Sequence, residues 1–160
     1  MSGSSRCCAF LVLLLTVLLT TACGQPPTSE APQPPEIQFG LDLCDACGMA
    51  IDDPRFASAA LLKNGEYLKF DDIGDMIVYH MDHPDRQVAA WFVHDHDTEE
   101  WLQADGAFFV VSPEIESPMG HGIFAFATQQ AAQKFAAGLS EAQVMNFEEV
   151  RADLHIKVHG

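Results

Sequence analysis

The sequence has little positive charge. Eight lysines and arginines stand against 23 aspartates and glutamates, for a formal charge of -15. Nucleic-acid binding needs a basic face, and so does electrostatic adhesion to anionic lipid, so both classes are set aside. An acidic surface serves solubility, or a basic partner. Cysteine is scarce as well: Cys7, Cys8, Cys23, Cys44 and Cys47 are the full set. That excludes a scaffold stapled by several disulfides. No Ser/His/Asp pattern, phosphate loop or spaced pair of catalytic carboxylates stands out, so an enzyme is not expected. The long apolar run is Phe10 to Leu19, interrupted only by Thr16.

That run reads as part of an export signal. Arg6 gives a positive n-region, and the apolar stretch is short for a membrane span. Thr20-Thr21-Ala22-Cys23 then puts a small residue directly before a cysteine. Residues 1–22 are therefore expected to be a bacterial lipoprotein signal peptide, with Cys23 the lipidated residue. Thr20 stands where such signals usually carry leucine. An ordinary secretory signal or an uncleaved anchor is the competing reading. Gly24 is not the acidic residue associated with inner-membrane retention, so the expected location is the outer membrane, facing the periplasm. Cys7 and Cys8 would leave with the signal, and Cys44 and Cys47 would be the remaining thiols.

Residues 23–42 are expected to be a tether. Pro26, Pro27, Pro32, Pro34 and Pro35 lie among small and polar residues, a composition that stays extended. At roughly 3 Å per residue it holds the domain up to roughly 50 Å from the lipid. Residues 43–160 are one domain by length.

Within that domain, Phe56 to Leu62 and Tyr67 to Phe70 read as strands around an Asn64-Gly65 hairpin turn. Asp72 is an N-cap, with Asp75 in the first turn of a helix carrying Ile73, Met76, Ile77 and His80 and running to about His83. Gln87 to Val93 is a third strand, and His94 to Asp105 a polar loop. Ala107 to Val111 and Ile123 to Phe126 are further strands, separated by a loop from Pro113 to Gly122. Thr128 caps a helix through about Ala137, which Gly138 ends. Gln143 to Phe147 reads as the last strand, and Glu148 to Leu154 as a final helical turn or two. The halves align: Gly65 to Asp72 followed by a helix with Tyr79, and His121 to Thr128 followed by a helix with Phe135. Met49 and Met119 precede the two units. The expected class is α+β, with two similar small ββα-containing units, about 43–95 and 105–155, packed as one compact domain.

Chemistry concentrates at Cys44-Asp45-Ala46-Cys47-Gly48-Met49. Several readings compete. A structural zinc site needs about four ligands, and no second cysteine pair exists, although histidines could serve. A redox dithiol needs its motif at a helix start after a strand, where the dipole lowers the thiol pKa; Gly48 and Asp52-Asp53-Pro54 make a turn instead. A plain structural disulfide suits an oxidising compartment. Cu(I) can be held by two or three soft ligands, and Cys47 with Met49 and a distant methionine would suffice. Ser117-Pro118-Met119-Gly120-His121 offers that methionine on a loop, with His121 two residues away. His94-Asp95-His96-Asp97 alternates imidazole and carboxylate and could hold Cu(II) or Zn(II), although such runs are more often solvated loops. His155 and His159 read as incidental, and Met76 as core.

Taken in order, Cys44-x-x-Cys47-Gly48-Met49, the Asn64-Gly65 hairpin leading to Phe70-Asp71-Asp72, and Ser117-Pro118-Met119-Gly120-His121 before Phe124-Ala125-Phe126 resemble the NosL family, accessory copper lipoproteins of nitrous oxide reductase. The likeness spans about Leu43 to Val150. It implies a membrane-tethered Cu(I) chaperone that delivers copper for the copper-sulfide cluster of the reductase, to the enzyme or its maturation transporter. It implies copper ligands at Cys47, Met49 and Met119, with Cys44 and His121 beside them. The histidine-rich stretch from Val93 to Asp97 departs from the hydroxyl- and tyrosine-rich segment associated with the family. The competing classes are an envelope thiol-disulfide oxidoreductase, with Cys44 attacking and Cys47 resolving, and a structural lipoprotein.

Overall fold

The computed structural model describes residues 31–160. The signal peptide and Cys23 lie outside the described residues, as does most of the tether. Residues 32–160 form one compact unit.

The architecture is α+β, and its two halves share a topology. In the first, β1 (Ser58–Leu62) pairs antiparallel with β2 (Tyr67–Phe70); α1 (Ile73–Asp82) follows, and β3 (Val88–His94) returns along the other side of β1. In the second, β5 (Phe108–Val111) pairs with β6 (Ile123–Phe126); α2 (Gln129–Ala136) follows, and β7 (Gln143–Met145) returns along the other side of β5. The sheet orders are β2-β1-β3-β4 and β6-β5-β7. The first half carries the extra strand β4 (Trp101–Gln103), and α3 (Phe147–His159) closes the chain. The expected pair of similar units is thus a repeated ββαβ topology.

Local chemistry explains the elements. Gly65 supplies the left-handed residue of the β1–β2 hairpin, with φ +87, and the Leu62 N–H bonds to the Glu66 carbonyl at 2.8 Å. Asp72 caps α1 by accepting from the Gly74 N–H at 2.7 Å, and Ile73, Met76 and Ile77 bury one helical face. Thr128 caps α2 through the Ala131 N–H.

The second sheet is buried on both sides. Ile123 and Ala125 of β6 enter the main core with Phe70, Ile77, Phe109 and Phe147, while Phe124 and Phe126 enter a second core with Phe56, Val110 and Ala132. This is the two-residue alternation of a strand, with both faces apolar. The sheet edges are short or covered. β4 and β7 have three residues each. The edge of β2 is bonded to the chain before it, Asp45 N to Lys69 O at 2.8 Å and Lys69 N to Asp45 Oδ2 at 2.7 Å. β6 is met by Asp95 in a parallel bridge at Ala125.

Three expectations differ from the fold. The segment from His94 to Asp105 is not all loop: it holds β4 and a 3-10 turn at Ala104–Gly106. β4 pairs with β3 alone, and three residues between polar flanks carry no legible alternation. The last strand stops at Met145, and Phe147 opens a 13-residue helix rather than a turn or two. Asn146 and Glu149 form a reciprocal capping box there, and Phe147, Val150 and Leu154 bury one face. Residues 33–42, assigned to the tether, pack in part on the domain: Ile37 is buried, and the Tyr67 hydroxyl donates to the Gln33 carbonyl at 2.7 Å.

Candidate metal centre

Cys44 and Cys47 sit on a tight turn clamped beside β2. Leu43 and Ala50 form an antiparallel bridge, the Cys44 N–H bonds to the Met49 carbonyl at 2.8 Å, and the Gly48 N–H closes back on the Cys44 carbonyl at 2.9 Å. Gly48 takes φ +75, a conformation that favours glycine. The two bonds between Asp45 and Lys69 fix this turn to β2. β2 runs directly into Asp71 and Asp72, so the start of α1 arrives opposite the thiols.

Both cysteines are free. Cys44 is 3% exposed, and its Sγ donates to Asp75 Oδ2 at 3.8 Å; Cys47 Sγ donates to Asp71 Oδ1 at 3.6 Å. One donor atom from each of Cys44, Cys47, Asp71 and Asp75 lies within 4.8 Å of all the others. Burial, helped by the Asp71 carboxylate, pushes the Cys44 thiol up to about 12. An attacking thiol requires the opposite shift. The motif also lies on a turn rather than at a helix start, so neither feature supports the oxidoreductase reading.

The second half reaches the same place through Asp72, which is 1% exposed. While Oδ1 caps α1, Oδ2 accepts from the Ser117 hydroxyl at 2.6 Å and from the Met119 N–H at 3.1 Å. Ser117 Oγ also accepts from the Gly122 N–H at 3.0 Å. The Met119 loop is therefore pinned to the N-terminus of α1 through Asp72, which lies in sequence between Asp71 and Asp75. His121 packs its ring on Gly74, where a Cβ would collide with it. Its Nε2 lies 3.9 Å from Asp75 Oδ1, and that carboxylate pushes the imidazole pKa up. His121 also lines an open cleft of about 650 Å³ with Ser112, Glu141 and Lys157; neither cysteine does.

Of the residues expected from sequence, Cys44 and Cys47 share one cluster, and His121 adjoins it through Asp75. Met49 and Met119 stay half exposed, at 47% and 39%. Met49 joins through its carbonyl and Met119 through its backbone N–H. Asp71 and Asp75 were missed as donors. Asp71 precedes the extended cap residue Asp72 and Asp75 lies in the first turn of α1, so no helical spacing marks the two as a pair in the sequence.

The histidines of the alternating run go elsewhere. The His94 ring bonds to the Ala57 carbonyl at 2.9 Å and lies against Trp101, 3.7 Å between centroids. His96 lies among Phe124, Phe126 and Phe135. Among the described residues, neither joins a group of three metal-donor side chains. Asp95 is buried and accepts from the Ala127 N–H and the Thr98 hydroxyl. The run is a junction between the two halves.

Comparison with known proteins finds relatives of this chain. A family model described as NosL matches residues 39–155. The copper-binding lipoprotein NosL of Stutzerimonas stutzeri is 31% identical over 150 residues, covering 86% of this chain and 78% of that protein. The crystal structure of the copper chaperone NosL from Shewanella denitrificans superposes with a TM-score of 0.65 at 22% identity, covering 74% of this chain and 96% of that one. The latter likeness is one of fold.

Proposed function

This chain belongs to the NosL family, and on that premise we propose that it is a membrane-tethered Cu(I) chaperone that delivers copper for the copper centre of nitrous oxide reductase. The relatives are named for copper binding and as a copper chaperone. The observation that carries the reading is the convergence of two free thiols with a methionine loop pinned at the same helix start. Thiolate and thioether are the donors that select Cu(I). Cys47, Met49 and Met119 supply the soft set in this proposal, with Cys44 and His121 beside them.

A carrier must also release its cargo. Half-exposed thioethers can be replaced one at a time by an incoming partner's ligands, while the buried Cys44 stays in place. Bridging of the two halves by one ion couples release to movement of the loop that Asp72 holds. Lipidation of Cys23, after cleavage of the signal, would keep the carrier at the membrane facing the periplasm.

Competition with a Cu(I) chelator under reducing conditions tests the reading. The reduced chain should take up one Cu(I), and oxidation to a Cys44–Cys47 disulfide should abolish uptake, because thiolates are the ligands. Met119→Ala should weaken binding and remove one sulfur neighbour from the copper X-ray absorption spectrum. Full affinity in a Cys44/Cys47 double Ala variant would rule out this site. Transfer of the bound copper to copper-free reductase tests the client.

A further inference from the structure

We propose that His155, His159 and Asp82 form a separate surface site for a divalent borderline cation, Cu(II) foremost, at the end of α1 remote from the cysteine turn. The inference takes nothing from the Cu(I) reading and shares no residue with that site.

In the sequence, His155 and His159 lack a third donor. On α3 their four-residue spacing sets them one turn apart on a common face. Their ring centroids lie 5.2 Å apart. A metal–imidazole bond of about 2.0–2.1 Å puts the ring centroid about 3.2 Å from the ion, so two rings at a square or tetrahedral angle have centroids about 4.5–5.2 Å apart. The pair stands at the upper edge of that span. The fold supplies the third donor: Asp82 is the last residue of α1, and its Oδ1 lies 3.7 Å from His159 Nε2. Ligands on one ion sit about 2.9–3.4 Å apart, so contraction by about half an ångström closes this edge. Both side chains are more than a third exposed, at 37% and 53%, and can make that move by rotation.

The surroundings suit a cation. α1 and α3 both end here, and each helix C-terminus carries roughly half a negative charge. The nearby cations have partners of their own. Arg151, one turn back from His155, pairs with Glu148 at 2.9 Å and lies over the Trp91 and Phe147 rings; Lys157 pairs with Asp153 at 2.6 Å. His83, next to Asp82, has its Nδ1 on the Tyr79 carbonyl at 2.7 Å. Two imidazoles and a carboxylate without sulfur suit divalent ions, and the Irving–Williams order puts Cu(II) first among them. The ten residues of α1 span about 15 Å, so this site and the cysteine turn cannot share a ligand.

The test uses the full chain carrying Cys44→Ala/Cys47→Ala, so that no thiol reduces or binds the probe, titrated with Cu(II) and read by electron paramagnetic resonance. One equivalent should bind with nitrogen couplings from two imidazoles, and Zn(II) should bind more weakly. Adding His155→Gln/His159→Gln should weaken Cu(II) by at least tenfold and remove those couplings, with far-ultraviolet circular dichroism as a fold check. Asp82→Asn alone should weaken it several-fold and keep the couplings. In the chain with both thiols, His155→Gln/His159→Gln should leave Cu(I) uptake within a few-fold. Unchanged Cu(II) affinity and couplings in the folded histidine variant would overturn the inference. So would full affinity in Asp82→Asn, which would reduce the pair to a chelate on one helix, and so would Zn(II) binding tighter than Cu(II).

Discussion

The Met119 N–H donates to Asp72 Oδ2 at 3.1 Å, while the other oxygen of the same carboxylate caps α1. One buried side chain therefore sets both the first turn of a helix in one half and the position of a loop in the other.

Asp72→Ala should cost roughly 2–4 kcal/mol, since it removes an N-cap and two charge-assisted bonds from a buried position. Urea unfolding should show a lower midpoint with an unchanged slope. Cu(I) should dissociate faster from the variant, because the Met119 loop is no longer held. A variant within 0.5 kcal/mol of the parent would mean that the loop has another anchor.

Gly74→Ala should test the contact with His121. Helix propensity alone favours alanine by about 1 kcal/mol. The added Cβ meets the Cβ and ring of His121, so the substitution should destabilise the parent and disturb the loop. In a His121→Gly background the obstruction is gone and the same change should stabilise. A double-mutant cycle reads the coupling, and additivity of the two changes would show that loop and helix do not press on each other here.

Stability should fall in acid partly through His80. Burial of the ring, reinforced by the nearby positive charges of His83, Arg86 and Arg151, lowers the pKa to about 4. The unfolded chain binds the proton near pH 6.5, so this group costs stability as pH drops from about 6.5 toward 4. Below that window the cost is complete. It should amount to on the order of 1–2 kcal/mol once screening of a partly exposed ring is allowed for. His80→Phe should flatten this part of the profile. Equal acid dependence in parent and variant would assign the effect to other groups.

If Cys23 takes the lipid as proposed, Cys23→Ser should yield a soluble envelope species or an uncleaved precursor. Metabolic labelling with a fatty acid and fractionation check this. Continued acylation would place the lipid elsewhere.

Much of the fold was legible because its signals are local. Asn64-Gly65 marked the hairpin, Asp72 and Thr128 marked helix starts, and the recurrence of strand-end aromatic and cap marked the repeat. β4 and α3 were not legible in the same way. Trp101–Gln103 is a strand only because β3 lies beside it, and Phe147 looked like the end of an apolar strand until Asn146 and Glu149 were seen to cap each other. At the candidate metal centre, the sulfur residues could be picked out by type. Asp71 and Asp75 could not, because aspartates at a helix start are common as caps and dipole partners. The clamp between Asp45 and Lys69, with the Lys69–Asp42 ion pair beside it, brings the thiols over them.

The short and covered sheet edges bear on life at high density. Proteins anchored to one face of a membrane meet each other far more often than the same number of molecules in free solution. An open strand under those conditions would template pairing with a neighbour. Here β4 and β7 are too short to register well with another chain, β2 is occupied by the cysteine turn, and β6 is met by Asp95. The same turn that presents the thiols therefore also blocks an edge. Loosening it, for instance by Asp45→Ala, would expose the β2 backbone to like neighbours, and a membrane-anchored carrier, as proposed, is the setting where that exposure would matter most.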